Sequence, residues 1–115
     1  MVLGNGENKV GYRALIDSGA DYNIFPGALA NTIDLTFDEK YVREFSGLGG
    51  AKIKAYGTDV DLEIGGVRFK TKVYFSPDLP KSGRAVLGQI GFFDHFRVKF
   101  EYDIKNIELT PVRRR

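Results

Sequence analysis

Residues 14–21 read ALIDSGAD, three apolar residues followed at once by an acid, a hydroxyl residue and a glycine. A continuous apolar run of this kind is typical of a strand buried on both faces, and here it ends at a sharp polar turn. An acid at the end of a buried strand is costly unless its carboxylate is paired or hydrogen-bonded. Asp17 is therefore the first candidate for chemistry, while an Asx-type turn that only closes a strand would use the same DSGA residues.

The composition narrows the chemistry that the chain can perform. It has no cysteine and a single histidine, His95, which removes thiol nucleophiles, disulfides and thiolate metal sites and makes a zinc site or a Ser-His-Asp triad hard to build. Acid–base chemistry therefore falls largely to Asp, Glu, Lys or Tyr. We expect neither a metal nor another cofactor.

Length and charge predict one small domain, residues 1–115, with a basic tail at 111–115. The formal net charge is only +2 and most of the excess lies in Arg113–Arg115, so we expect no nucleic-acid partner. No apolar run approaches the roughly 18 residues of a membrane span and no charged-then-apolar leader is present. Together with the lack of cysteine, this predicts a cytoplasmic protein without a membrane partner.

Alternation of apolar and polar residues dominates the rest of the chain and predicts a mainly β protein with one or two short helices. The clearest case is a hairpin of residues 59–64 and 67–73 around Gly65-Gly66. A two-residue turn there pairs apolar residues on one face and opposite charges on the other, and a slip by one residue would mix the faces. The predicted pairs are Ile64 with Val67, Leu62 with Phe69, Glu63 with Arg68, Asp61 with Lys70 and Asp59 with Lys72.

Other turns and helices follow from shorter signals. The motif Gly4-Asn5-Gly6 predicts a first hairpin, and Pro26 predicts a short helix over the residues that follow it. Residues 89–96 fit a second helix that is apolar on one side through Ile90 and Phe93. The tail alternates again from residue 97 to 102 and turns back into residues 107–109.

The order of these motifs resembles that of the retropepsin-like aspartic proteases over nearly the whole chain. That family has an apolar strand, the motif Asp-Thr/Ser-Gly-Ala, a glycine-rich hairpin flap and a meander, then an apolar-apolar-Gly strand, a short helix and a final strand. The matching segments here are residues 15–21, 45–53, 86–89, 92–96 and 97–102. The resemblance implies a closed β-barrel of the acid-protease fold in which each chain supplies half of an active site.

The resemblance also implies an aspartic endopeptidase that acts on polypeptides as a homodimer. In that mechanism two carboxylates share one proton around a water molecule, and the water attacks the scissile carbonyl. The other aspartates lie in turns, on polar faces or near the helices, and none of them follows an apolar strand and precedes Ser/Thr-Gly. The second carboxylate is therefore expected to be Asp17 of a second copy, on a two-fold axis.

The remaining site residues are carried over from the family motif. Ser18 and Gly19 would support the aspartates, Ser18 by a hydrogen bond across the dimer. The residues implied to bind substrate are Ala20, Asp21, Tyr22 and the flap residues Gly47, Leu48, Gly49 and Gly50. Two positions depart from the pattern: Gln89 stands where many members carry an arginine that pairs with the acid matched by Asp21, and Tyr22 replaces a second acid.

Two other classes of protein remain open. A catalytically silent retropepsin-like domain could serve as a dimerisation or peptide-binding module, because a fold does not guarantee activity. A small β-barrel that binds nucleic acid could use the basic tail and the rings of Tyr41, Phe45 and Tyr56. The modest charge counts against the second alternative, and the intact Asp17 motif counts against the first.

Overall fold

The computed structural model describes residues 1–46, 52–101, 103–104 and 106–112. This part of the chain is mainly β, with one short α-helix, α1 at Ala28–Thr32, and one 3-10 helix at Glu39–Tyr41. The strands are β1 Val2–Asn5, β2 Asn8–Gly11, β3 Ala14–Ile16, β4 Ile24–Pro26, β5 Val42–Ser46, β6 Lys52–Ile64, β7 Val67–Ser76, β8 Ala85–Leu87, β9 Phe96–Glu101 and β10 Asn106–Pro111. The predicted fold class is confirmed.

Eight strands form one sheet that curls into a half-barrel. Its order is β2-β1-β6-β7-β4-β8-β3, and β5 pairs with the outer part of β6, while β9 and β10 form a separate hairpin. The curled sheet and the hairpin enclose an apolar core, since burying aromatic and aliphatic area is the main stabilising contribution in a domain of this size. Its fully buried members include Leu3, Phe25, Leu62, Phe75, Leu87 and Phe92.

The predicted hairpin of β6 and β7 is confirmed in every pair. Ile64 pairs with Val67 and Asp59 with Lys72, with the intervening residues in the same register. Gly65 and Gly66 have φ of 58° and 81°, which fits a two-residue turn with both central residues in the left-handed region. One predicted ionic pair, Glu63 with Arg68, is 3.8 Å apart and exposed, so it fixes register more than it stabilises.

Two predicted details of the N-terminal region are wrong. The predicted first hairpin is present, but its turn lies at Gly6-Glu7 and not at residues 4–6, because Gly4 and Asn5 belong to β1 and Asn5 pairs with Asn8. Strand β3 is not buried on both faces, since Leu15 is 45% exposed. The physical reason is the position of β3 at the end of the sheet, where no described element covers the side chain of Leu15.

The predicted helix over residues 89–96 is also wrong. This segment consists of hydrogen-bonded turns, in which Phe93 N donates to Gly88 O over 3.1 Å and His95 N donates to Phe92 O over 2.8 Å. Gly91 has a φ of 101°, which a right-handed helix does not allow. Phe92 rather than Phe93 is fully buried as a result.

The strands that flank the predicted flap pair with each other. Ser46 of β5 pairs with Lys52 of β6, and Phe45 pairs with Ile53. The flap residues 47–50 lie outside the described residues. Neither helix of the described part is long and apolar enough to cross a membrane.

Candidate active site

Two parallel strands place Asp17 at one edge of the sheet. Strand β3 runs parallel to β8, with Ile16 opposite Leu87. The pairing continues for one more bond beyond β3, because Asp17 N donates to Leu87 O over 2.9 Å. The backbone of Asp17 is therefore held by the sheet, while the residue itself is partly exposed.

The turn that follows fixes the carboxylate of Asp17. Its Oδ1 atom accepts a hydrogen bond from Gly19 N at 2.9 Å, and its backbone oxygen accepts one from Ala20 N at 3.1 Å. This is the Asx-type turn that the sequence left open as an alternative. It does not exclude chemistry, since a carboxylate has two oxygens with about four acceptor positions and this bond uses one of them.

The segment after β8 is hydrogen-bonded to the loop of residues 17–22, which we call the site loop. Gln89 N donates to Ala20 O over 2.9 Å, and Ile90 N donates to Asp21 O over 2.8 Å. The side chain of Gln89 donates from Nε2 to the backbone oxygen of Ser18 over 2.7 Å. In this chain Gln89 therefore bonds to the backbone of the site loop, and no hydrogen bond joins it to the side chain of Asp21.

Asn23 is a buried polar residue at the site that the sequence did not predict. It is fully buried, and its Oδ1 atom accepts from Gly88 N at 3.0 Å while its Nδ2 atom donates to Lys72 O at 3.2 Å. One side chain thus links the end of the site loop to β7 and to the residue after β8. A polar residue between Tyr22 and the apolar residues of β4 was the signal available in the sequence.

Gly88 packs directly against the backbone of the site loop. A Cβ atom on this residue would lie 2.7 Å from both Ala20 O and Tyr22 O. Only glycine permits so close an approach. The predicted second apolar-apolar-Gly strand therefore ends in a glycine because the loop that carries Asp17 packs directly against it.

Tyr22 connects the site loop to the base of the predicted flap. Its ring lies 5.6 Å from that of Phe45 in β5 and 5.4 Å from that of Tyr74 in β7, both edge-on. Arg43 of β5 packs over the same ring, with its guanidinium carbon 4.7 Å from the ring centre, and its Nη1 atom donates to the Tyr22 hydroxyl over 2.5 Å.

The structure brings together only part of the predicted site. Asp17, Ser18, Gly19, Ala20, Asp21 and Tyr22 form one loop around the end of β8. Ser18 and Asp21 are exposed, and no hydrogen bond to another described residue holds either side chain. The predicted substrate-binding residues Gly47, Leu48, Gly49 and Gly50 lie outside the described residues, so their roles stay predictions. Among the residues that are described, no cluster of three or more His, Asp or Glu side chains could hold a metal ion.

Comparison with known proteins assigns the chain to a family. A sequence model described as aspartyl protease matches residues 2–90, well over half of the chain. A solved structure of EIAV protease complexed with the inhibitor HBY-793 is similar at 22% identity and a TM-score of 0.57, covering 76% of this chain and 78% of that chain. This likeness establishes the fold alone, and no curated protein matches the chain. The predicted retropepsin-like fold is confirmed, and the chain belongs to the aspartyl protease family.

Proposed function

We propose that the protein is an aspartic endopeptidase that works as a homodimer, with residues 1–115 forming one domain that carries half of the active site. The observation that carries this proposal is the position of Asp17 at the edge of the sheet. Its backbone is bonded to β8, and the turn that follows is fixed by hydrogen bonds from Gly19 N to its side chain and from Ala20 N to its backbone oxygen. Each chain has one such acid after an apolar strand. The chemistry of aspartic proteases needs two.

In the proposed mechanism two Asp17 carboxylates lie side by side across a two-fold axis and share one proton, because two like charges a few ångströms apart cannot both ionise. The ionised carboxylate takes a proton from water as the water oxygen bonds to the scissile carbonyl carbon. The protonated carboxyl gives its proton to the carbonyl oxygen, forming a neutral diol. When the diol collapses, the carboxyl that now holds the proton gives it to the amide nitrogen, the other carboxylate takes a proton from a diol hydroxyl, and the C–N bond breaks. The dyad then again holds one shared proton.

Exposed apolar side chains next to the loop support pairing with another chain or with a peptide. Leu15 is 45% exposed and Ile90 is 55% exposed, on residues that flank the Asp17 turn in the fold. Exposed apolar area of this kind favours burial against a partner. The substrate would bind extended, held by its backbone like an added strand, with specificity set by pockets for alternate side chains.

A peptide library tests the proposed activity. We expect cleavage between bulky apolar residues at mildly acidic pH, where the dyad holds one proton. Cleavage should continue in EDTA and stop with a statine-type inhibitor, which mimics the diol. Activity that survives the inhibitor but is lost in EDTA would identify a metal-dependent mechanism, and absence of any cleavage would favour the silent peptide-binding domain.

We expect the folded protein to be a dimer with the two Asp17 turns in contact. Since the chain contains no cysteine, Ser18→Cys introduces one thiol per chain beside the proposed axis. Mild oxidation should convert this variant to a disulfide-linked dimer on a non-reducing gel, and light scattering should give twice the chain mass for the wild type. Ser82→Cys is the matched control, because Ser82 is exposed and precedes β8, at the opposite end from Asp17. A monomer well above micromolar concentration, or equal cross-linking of both variants, would contradict the dimer.

A further inference from the structure

A groove of about 260 Å³ beside β5 is lined by three cations, Lys40, Arg43 and Lys72. The rings of Tyr41 and Tyr74 form part of its walls. The described residues that line this groove include no carboxylate, and no described acid lies within 4.0 Å of a charged nitrogen of its three cations. We call these residues the cationic groove.

The neighbouring surface shows that this charge is local. A second groove of about 330 Å³ shares Tyr41 and Lys72 with the cationic groove, but it also contains the carboxylates of Asp38 and Asp59. Lys72 lies 5.7 Å from the centre of the Tyr41 ring at the junction of the two grooves. The excess positive charge is therefore concentrated at the end of this surface nearest to Arg43.

Arg43 joins the cationic groove to the candidate active site. Its guanidinium lies over the ring of Tyr22 and donates to the Tyr22 hydroxyl, and Tyr22 belongs to the same loop as Asp17. A tyrosine hydroxyl accepts one of the five N–H donors of a guanidinium. The stacking holds the side chain of Arg43 in place, and this leaves its other donors available to a carboxylate, which can bind such a fork with two parallel hydrogen bonds.

We propose that the cationic groove is a specificity subsite that takes an acidic side chain of the substrate, outside the two residues that flank the scissile bond. This inference rests on the proposed function. An extended peptide alternates its side chains between opposite faces, so a residue further along the strand can reach Tyr22 and Arg43 while the scissile bond lies at Asp17. An acidic residue there would meet three cations beside two tyrosine rings, of which Lys72 is the one that also lies opposite a carboxylate, that of Asp59.

The expected preference is moderate and sensitive to salt. One exposed ion pair is worth up to about 1 kcal/mol, which corresponds to about a fivefold change in kcat/KM. Charges on an open surface are screened over about 8 Å at physiological ionic strength. We therefore expect peptides with Glu at an outer position to be cleaved about fivefold more efficiently than matched Gln peptides at low salt, with the ratio falling as salt is added.

The test compares Glu, Gln and Lys peptides of otherwise identical sequence on wild type and variants. Arg43→Gln and Lys72→Gln should each reduce the Glu-over-Gln ratio, and Arg43→Glu should reverse the preference toward Lys. Lys70→Gln is the matched control, because it removes an exposed lysine of β7 that does not line the groove. A preference that is absent in the wild type, or unchanged in the Arg43 variants, would overturn the inference while leaving the proposed protease intact.

A binding assay distinguishes an error in the proposed subsite from an error in the proposed protease activity. Fluorescence anisotropy of the same labelled peptides on Asp17→Asn needs no cleavage, and it should show tighter binding of the Glu peptide that Arg43→Gln abolishes. If no peptide is cleaved but this pattern is found, the subsite stands and the proposed activity fails. If a single-stranded oligonucleotide binds more tightly than the Glu peptide at the same salt, the groove serves nucleic acid and the inference is wrong.

Discussion

Replacing Asp17 by asparagine is expected to lower kcat/KM for peptide cleavage by at least about a thousandfold, the scale of a lost general base. The amide cannot take a proton from water, and in a dimer both halves of the site lose this group at once. The free energy of unfolding should not fall. The Oδ1 atom of asparagine can still accept the hydrogen bond from Gly19 N that holds the turn, and repulsion between paired carboxylates disappears.

The matched control is Asp34→Asn. Asp34 is an exposed aspartate away from the site with a φ of 58°, a backbone conformation that asparagine tolerates as well as aspartate does. This variant should keep wild-type kcat/KM and stability. Steady-state kinetics and urea unfolding of both variants decide the matter. Turnover by Asp17→Asn within tenfold of the wild type would place the chemistry on another residue.

Local patterns were sufficient to predict a large part of the fold. The hairpin of β6 and β7 is determined by alternation and two glycines, all within about fifteen residues, and its register is confirmed. The placement of Asp17 at a strand end followed from the apolar run before it. Signals of this kind work because a one-residue slip would move every side chain of a strand to the wrong face.

The contacts that build the site join segments far apart in the sequence, and the sequence did not predict them. Asn23 bonds to Gly88 and to Lys72, and no local pattern indicates a buried amide with partners 49 and 65 residues away. The helix predicted over residues 89–96 is wrong for the same reason, a contact with a residue distant in the sequence. Gly91 adopts its positive φ while its oxygen accepts a hydrogen bond from buried Thr71 Oγ1 at 2.7 Å, a tertiary contact that overrides helical periodicity.

Leu15 shows a second reason why burial cannot be fully predicted from the sequence. A run of three apolar residues predicts burial on both faces, yet this residue is 45% exposed in the single chain. An apolar residue in a sequence pattern can be buried by any contact of the active protein. In the proposed enzyme these contacts include a second chain and a peptide substrate. The disagreement between the pattern and the single chain therefore lies beside Asp17, where the half-site is expected to be completed.

The second large effect is expected from Gly88→Ala, which adds one methyl group beneath the site loop. The new Cβ atom would lie 2.7 Å from the backbone oxygens of Ala20 and Tyr22, closer than such atoms can approach, so the loop must move. Overpacking against backbone of this kind costs about 3 kcal/mol, which corresponds to a fall in Tm of about 10 °C for a domain of this size. The backbone of Gly88 is not in the left-handed region, so the effect is steric.

The same displacement should reduce activity beyond the loss of stability. Asp17, Ala20 and Tyr22 lie on one loop, and a shift of about 1 Å in a catalytic group can cost about a hundredfold in rate. Gly11→Ala is the matched control, since Gly11 also lies outside the left-handed region and its Cβ would meet no atom within 4 Å; we expect its stability within about 0.5 kcal/mol of wild type. Thermal unfolding and kcat/KM well below Tm measure the two effects separately. A Gly88→Ala protein as stable and active as Gly11→Ala would mean that the loop carrying Asp17 is not held by this contact.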